Sequence, residues 1–564
     1  MQNIIVVQCT STGKNYIQDI IDRNCNPVIL EVKTIGDNEE AIARRKEVKE
    51  GYESINADFE LIYEKDTYEE TLKMVKELDP LLIIPGTEDG VILATKLAND
   101  LNLLCNPIEN LDAMTLKDEM QNRLAQNNLR HIKGKLVSTI EEAIEFYDKE
   151  ELKEVVLKPI YSAGTVGLRM CKNKEELIQS FEEVLNLPGL YGNVEESLLI
   201  QERINGTEYI VNTVSSNGIH RVTTIWKYNK ATTSEGGQVV DTSVTVNELG
   251  LGEGELVEYA YDVADAIGIK YGPVHGEYMI DEKGPVLIEV NCRPCGANME
   301  ADFLDKISGQ HETDSSLDSY LNPEKFKMEQ GKGYRLNGYG ALKLFITPKD
   351  LIAKSSPMKY MSNKLKSHYK TSMTQIIGEM VFEKTQHLEN ASGIVYLAHE
   401  DGYQVQKDIE FLRSVEQNAF QLVLSEELKT EINHDEAKNQ KEIKDFIKDI
   451  KSFGTCLLIS DTIYDDLNVT QVMPEELKEI NGKYGVVIVN LNKSLTGHKD
   501  DQVAKFILNT FDRIKERGII IIPKATYDTM PNGRLGAEAL LRTLNLKIEL
   551  PIHQLPKMLI ASKR

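Results

Sequence analysis

Residues 272–299, GPVHGEYMIDEKGPVLIEVNCRPCGANM, leave few choices of local structure. Residues 274–281 read as one strand, Glu282-Lys283-Gly284 as a turn, and residues 285–293 as the returning strand. Gly284 suits the φ > 0 position of a three-residue hairpin loop. Pairing Asp281 with Pro285 sets Glu277 opposite Glu289. Two carboxylates facing each other across a ladder repel, and a bound cation removes that penalty. Glu289, Asn291 and Arg293 recur at every second position and so share a face, while Ile288, Val290 and Cys292 turn to the core. All-oxygen ligands suit Mg²⁺, which takes one or two carboxylates plus substrate phosphates. Arg293 then stands where negative charge builds up during group transfer. The plain alternative is a solvated strand face with an ion pair.

The same residues fit two other patterns less well. Cys292-Arg293-Pro294-Cys295 has the spacing of a redox pair or half a zinc site, but no second C-x-x-C exists. His275-Gly276-Glu277 with Pro294-Cys295 shares part of the zinc deaminase pattern, but Asn298 stands where the second cysteine is needed. Both cysteines are therefore expected to pack.

A chain of 564 residues is long enough for three or four domains. A net charge of −24 speaks against nucleic acid or an anionic membrane as a partner. No apolar run has the length of a membrane span. The opening MQNIIVVQCTSTG lacks the features of a signal peptide, and seven scattered cysteines read as reduced thiols, so a cytoplasmic protein is expected.

Up to about residue 112 strands and helices alternate: strands at 4–7, 27–32, 58–63 and 81–84, helices at 16–23, 68–78 and 91–101. That order predicts an open parallel sheet with ligand loops at the strand C-termini. Thr10-Ser11-Thr12-Gly13-Lys14 lacks the first Walker glycine, and Asn15 replaces Ser/Thr, so it reads as an ordinary βα turn. A helix is expected from Met114 to about Asn127, then strands at 135–137, 155–159 and 198–204 and a helix at 140–147. The small-residue loop 160–168 follows Lys158, whose ammonium can reach a phosphate held by backbone N–H groups. A plain hairpin fits that loop equally well.

Taken in order, Lys117-Asp118, Lys158-Pro159 with Ser162-Ala-Gly-Thr-Val-Gly, Gln201-Glu202-Arg203-Ile204 with Gly206-Thr-Glu208, Glu277, and Glu289-Val-Asn291-Cys-Arg293-Pro-Cys-Gly296 resemble the ATP-grasp superfamily. Within it, residues 1–420 look most like the L-amino acid ligases that make dipeptides. The resemblance implies a multidomain α/β and α+β protein. A pre-ATP-grasp domain spans 1–112, a small lobe 113–205, and a large lobe with a C-terminal subdomain 206–424. It implies phosphate contacts from Lys117 and Lys158, and a lid over the phosphates that includes Ser162, Ala163 and Gly164. Adenine would be held by Glu202, Arg203 and Ile204, with Glu208 near the ribose. Glu277, Glu289 and Asn291 would bind metal, and Arg293 and Lys158 would be catalytic. ATP with two Mg²⁺ ions, or Mn²⁺ in their place, is implied. A small carboxylate and an amine are the implied substrates, and a homodimer is compatible. The sequence departs from the family in a glycine-poor lid and in Gln201, where an acidic residue is common.

Substrate contacts are expected from Arg293 and from His275, placed one residue off the metal-facing register, and the resemblance implies them for the 227–241 segment through Lys227, Gly236 and Gly237. Trp226 is expected in a core or surface role. Residues 425–450 are highly charged and read as a linker. From 451 a second α/β pattern begins, with strands at 456–459, 484–490, 518–523, 547–550 and 558–562 and helices at 503–517 and 536–544. It resembles the second half of a class I methyltransferase sheet without the glycine-rich cofactor loop, which implies a Rossmann-like module lacking cofactor. A carboxylate–amine ligase is the leading expectation. A biotin-dependent carboxylase-like or purine-type ligase is the enzyme alternative, and a catalytically dead nucleotide-binding module the other.

Overall fold

A computed structural model gives the structure of the chain. It describes residues 1–33, 48–49, 51–52, 55–159, 167–185, 197–232, 238–347, 351–353, 362, 365–373, 380–382, 384–385, 391–419, 456–460, 469–479, 482–490, 510, 513–523, 546–549 and 558–563. The chain divides into two compact units. One comprises Met1–Lys230, Thr242–Ala341 and Ala398–Asp401, the other Ala231–Asp241, Leu342–Leu397 and Gly402–Arg564.

The first unit begins with strands β1 (Asn3–Val7), β2 (Asn26–Glu31), β3 (Glu60–Tyr63) and β4 (Pro80–Pro85), all parallel in the order β3-β2-β1-β4. Helix α1 (Asn15–Asp22) links β1 to β2, α2 (Tyr68–Glu77) links β3 to β4, and α3 (Val91–Asp100) follows β4. The apolar run of β1 is unbroken because both faces are covered: Ile4 and Val6 enter one core, Ile5 and Val7 the other. This is the parallel sheet expected from the βα alternation.

The helix expected over 114–127 is two helices, α4 (Leu111–Thr115) and α5 (Lys117–Gln126), broken at the extended Leu116. The break starts a new helix at Lys117. Strand β5 (Gly134–Val137), helix α6 (Ile140–Lys149), strands β6 (Val155–Pro159) and β7 (Arg169–Cys171), helix α7 (Lys174–Leu185) and strand β8 (Leu198–Glu202) follow. They form an antiparallel β5-β8-β6-β7 sheet with a core that includes Leu157, Phe181 and Ile200. Strand β8 stops at Glu202, two residues short of the expected end.

Next come β9 (Thr207–Ser216), β10 (Ile219–Thr232), β11 (Gln238–Thr245), helix α8 (Leu251–Ile267), β12 (Tyr271–Asp281) and β13 (Gly284–Asn291). Helices α9 (Ala301–Ser308), α10 (Glu312–Leu321) and α11 (Pro323–Gln330) complete the first unit's large lobe. Strands β13, β12, β9 and β10 pair antiparallel in that order. The β12–β13 turn differs from expectation. Asp281 pairs with Gly284, not Pro285, and Gly284, at φ +97°, opens the returning strand. An irregularity between Tyr278 and Glu277 leaves Ile288 as an extra residue, so Glu277 still faces Glu289. A one-residue shift at the turn and a one-residue bulge cancel.

The second unit holds half of β14 (Tyr339–Leu344) and most of β18 (Gly393–His399), with β15 (Leu351–Ala353), β16 (His368–Met373), β17 (Met380–Phe382) and helix α12 (Gly402–Ala419). Its C-terminal part contains β19 (Cys456–Ser460), β20 (Thr470–Val472), β21 (Tyr484–Asn490), β22 (Ile514–Pro523), β23 (Leu546–Glu549) and β24 (Met558–Lys563). The sheet order is β20-β19-β21-β22-β24-β23, with the first four strands parallel and β24 antiparallel to both neighbours. The helix expected over 503–517 is contradicted at its end, because Ile514 pairs with Tyr484 inside β22. The β-branched Ile514 sits fully buried in that ladder, where strand packing overrides the helical periodicity. Residues 425–450 and 536–544 lie outside the described residues. Among the described residues no helix is long and apolar enough to cross a membrane.

Candidate active site

Strands β9, β10, β12 and β13 present one face to α8 and the other to a cleft. Tyr209, Val211, Ile225, Val274, Tyr278, Leu287, Val290 and Cys292 share the α8 core. Alternation then puts Glu208, Asn212, Tyr228, His275, Glu277, Glu289 and Asn291 on the cleft face.

Two lysines reach this face. Gln121 Nε2 of α5 donates to Leu287 O of β13 at 3.1 Å, which seats the helix on the hairpin. Lys117, one turn earlier, thereby places Nζ 2.9 Å from Glu289 Oε2. Burial works against the Lys117 ammonium, but Glu289, Glu277 and Glu88 outweigh it and raise its pKa. Lys158 near the end of β6 is 7% exposed and has no ion pair or hydrogen bond among the described residues. Burial lowers it to about 8, against the pull of Glu289, with Lys117 adding to the fall.

The carboxylates divide. Burial and the facing Glu289 raise Glu277 above the usual range. Burial pushes Glu289 the same way, but Lys117 and Lys158 outweigh it and hold Glu289 low. Asn291 Nδ2 lies 3.4 Å from Glu289 Oε1. A crowded pair of acids and a carboxamide beside a buried, unpaired ammonium is a donor set that fits Mg²⁺ with an anionic phosphate ligand.

His275 is not off the metal-facing register: it pairs with Asn291 and shares the face of Glu277, two residues on. Its Nε2 is 3.5 Å from Glu277 Oε1, and its Nδ1 is 2.9 Å from Asn212 Oδ1. Asn212 Nδ2 donates to Thr224 Oγ1 at 3.0 Å, so Asn212 Oδ1 is the acceptor and His275 Nδ1 carries the proton. Burial and the Arg293 charge hold His275 down to about 3, so the ring is neutral with its Nε2 lone pair toward Glu277.

Arg293 lies just beyond β13, with Nε 3.5 Å from Glu88 Oε2. Glu88 is not among the residues that the motifs single out; it follows the C-terminal end of β4, where parallel-sheet ligand loops are expected. Arg203 Nη1 is paired with Glu154 Oε2 at 3.1 Å, and Arg203 N donates to Glu154 O at 3.1 Å. Glu202 N donates to Lys133 O at 2.9 Å, and Ile204 is half-buried. Beside them Gln201 Nε2 is buried without a partner among the described residues. Glu208 pairs with Lys230 at 2.5 Å, and burial still raises its pKa.

Lys227 pairs with Tyr209 on the α8 side, its ammonium 5.7 Å from the ring centroid, so the structure turns it away from the carboxylates. Tyr228 and Lys230 take the cleft side instead. Trp226 is 1% exposed and stacks on Phe303, a core role. Cys292 and Cys295 are buried with thiol pKa values pushed up by burial, as packing residues should be. Ser162, Ala163, Gly164, Gly236 and Gly237 lie outside the described residues.

Residues 152–302 match the family model described as an ATP-grasp domain. That stretch carries the domain, and the fold is of the ATP-grasp class. The chain is 26% identical over 437 residues to dapdiamide A synthase of Enterobacter agglomerans, covering 75% of this chain and 98% of that one. It is 25% identical over 279 residues to the carbamoyl phosphate synthase large chain of Clostridium acetobutylicum, covering 46% of this chain and 24% of that relative. The L-amino acid ligase from Bacillus licheniformis has the same fold over 73% of this chain and 97% of its own, at TM-score 0.57 and 14% identity. The N5-carboxyaminoimidazole synthetase of Staphylococcus aureus, complexed with ADP, reaches TM-score 0.51 at 11% identity over 74% of this chain and 98% of that one.

Proposed function

We propose that the protein is an ATP-dependent carboxylate–amine ligase that forms an amide or peptide bond and releases ADP and phosphate. The observation that carries this reading is the convergence of Lys117 and Lys158 on the opposed Glu277 and Glu289. The likeness in sequence to dapdiamide A synthase, nearly full-length for that protein, supports it.

Lys117 and Lys158 would bind the phosphates, with Ser162, Ala163 and Gly164 keeping the role of a lid over them. Glu202, Arg203 and Ile204 would hold adenine, and Glu208 the ribose. Glu277, Glu289 and Asn291 would hold two Mg²⁺ ions or Mn²⁺. Bound there, the metal supplies neutralising charge to the triphosphate. The substrate carboxylate attacks the γ-phosphorus in line, ADP leaves, and an acyl phosphate forms. The amine then attacks the acyl carbon, Arg293 stabilises the oxyanion, and phosphate departs. Glu88, beside Arg293, is placed to meet the ammonium of an amino-acid substrate, and His275 lines the same cleft.

The domain reading stays as proposed from the sequence: 1–112, 113–205 and 206–424 for the ligase, 425–450 a linker, and 451–564 a Rossmann-like module without cofactor. The substrates are small carboxylates and amines, and a homodimer remains compatible.

Phosphate and ADP release is measured with Mg²⁺, ATP and pairs of amino acids. Release stimulated by a pair supports the ligase. AMP and pyrophosphate sink the acyl-phosphate route, and dependence on bicarbonate favours the carboxylase alternative.

A further inference from the structure

Arg293 is followed by a loop that the chain does not adopt cheaply. Ala297, at φ +65°, and Asn298, at φ +47°, stand consecutively in the left-handed region. Non-glycine residues there are disfavoured and persist only where the surroundings impose them.

Two distant elements impose this one. After β1, Thr12 Oγ1 donates to Gly296 O at 2.9 Å and accepts from Met299 N at 3.0 Å. Ser11 Oγ accepts from Asn298 N at 3.0 Å, and Asn15 Nδ2 donates to Met299 O at 3.0 Å. Ser11 is itself left-handed at φ +51°. A Cβ at Gly13 would stand 2.3 Å from Gly86 O, so this turn lies directly on the segment that leads to Glu88. From the other side, Glu312 in the first turn of α10 accepts from Cys295 N at 3.1 Å through Oε2. Glu312 is 3% exposed, and its Oε1 has no hydrogen-bond partner among the described residues. A buried carboxyl left half-satisfied is destabilising, and its presence calls for a reason. The Arg293 charge is among those acting on it.

We propose that Thr12 and Glu312 are positioning residues that grip the 295–299 loop from two sides and so hold the Arg293 guanidinium in the cleft. This rests on the ligase reading only in that Arg293 takes its role from there. Neither residue touches substrate. The grip also explains a turn resembling a phosphate loop that lacks the residues to be one: its hydroxyls serve the loop of another lobe.

The full chain is prepared as Thr12→Val, Thr12→Ser, Glu312→Ala and Glu312→Gln, each also in an Arg293→Ala background. Thr12→Val and Glu312→Ala should lower kcat about 10- to 100-fold, the scale of a misplaced catalytic group, with KM for ATP little changed. Thr12→Ser and Glu312→Gln, which keep the acceptors, should recover most of it. In the Arg293→Ala background the same changes should have almost no further effect, because they act through a group already gone. Equal losses in both backgrounds, or a change in KM alone, overturn the proposal. Hydrogen exchange reads the loop without turnover. Thr12→Val should speed exchange at the Asn298 and Met299 amides and leave β12 as it was. Unchanged exchange overturns the grip, whereas a protein with no ligase activity but the expected exchange sinks only the ligase reading.

Discussion

A buried ammonium without a direct ion-pair partner destabilises the protein that holds it, unless a ligand supplies the anion. Lys158 is in that position, and a nucleotide triphosphate is the ligand that its neighbours Lys117, Glu277 and Glu289 would accept together. Arg293 differs in kind, since it has Glu88 as a partner at 3.5 Å in the free protein. A substrate carboxylate or a developing oxyanion must compete with Glu88 for it. Arg293→Ala is therefore expected to lower kcat by about 10²- to 10³-fold, the cost of losing an oxyanion donor. Steady-state phosphate release measures this, and near-normal turnover in the variant would refute the role. The lysines, acids and arginine were legible in the sequence because each sits in a short ordered motif. Glu88 was not, because its significance lies in a side chain more than two hundred residues away. Its one local signal was its place after a parallel strand.

The hairpin shows how an element can be read correctly through an incorrect step. Strict alternation pairs Asp281 with Pro285, whereas the structure pairs Asp281 with Gly284 and adds a bulge at Ile288. Alternation alone cannot foresee a bulge, since an extra residue changes parity without changing composition. The opposed Glu277 and Glu289 survive because the two shifts cancel, and the repulsion between them belongs to the strand pair. Glu277→Gln should accordingly raise the unfolding midpoint of the metal-free protein, by an amount equivalent to about 0.5–1 kcal/mol. The same variant should lose the stabilisation that Mg²⁺ with an ATP analogue gives the unaltered chain. Thermal unfolding with and without Mg²⁺ tests both parts, and equal stabilisation of variant and parent would remove Glu277 from the metal site. The same limit of periodicity applies at the end of the helix expected over 503–517, where Ile514 pairs in a strand instead.

At the scale of the first unit, the parallel sheet and the large lobe are joined through α1 and α10, where the buried Leu317 packs with Ile17 and Ile20 and polar contacts add to the joint. Arg23 binds Asp314 and Asp318, Tyr16 Oη donates to Ser316 Oγ, and Thr313 Oγ1 donates to Asp19 Oδ2. His311 stands at its centre, 10% exposed, with Nε2 2.9 Å from Asp19 Oδ1 and Nδ1 2.9 Å from Asp305 Oδ1. None of this was legible beforehand, because a histidine before a helix and an aspartate near residue 19 carry no mutual signal until the fold brings them together. Burial opposes the imidazolium, but Asp19 and Asp305 outweigh it and raise His311 to about 10. The folded protein thus holds this proton more tightly than the unfolded chain. Its stabilising contribution is complete below the unfolded pKa of about 6.5 and is lost as pH rises through about 10. His311→Gln should therefore cost on the order of 2–4 kcal/mol at pH 6 and progressively less toward pH 10.5, where both proteins lack the charge. Unfolding midpoints of the two proteins across that range measure the difference directly. The gap should close with rising pH, since the glutamine keeps one N–H donor, as the neutral imidazole does, but not the charge or the second donor. A gap that stays constant would mean that the joint is held by packing and neutral hydrogen bonds, with the imidazolium contributing nothing.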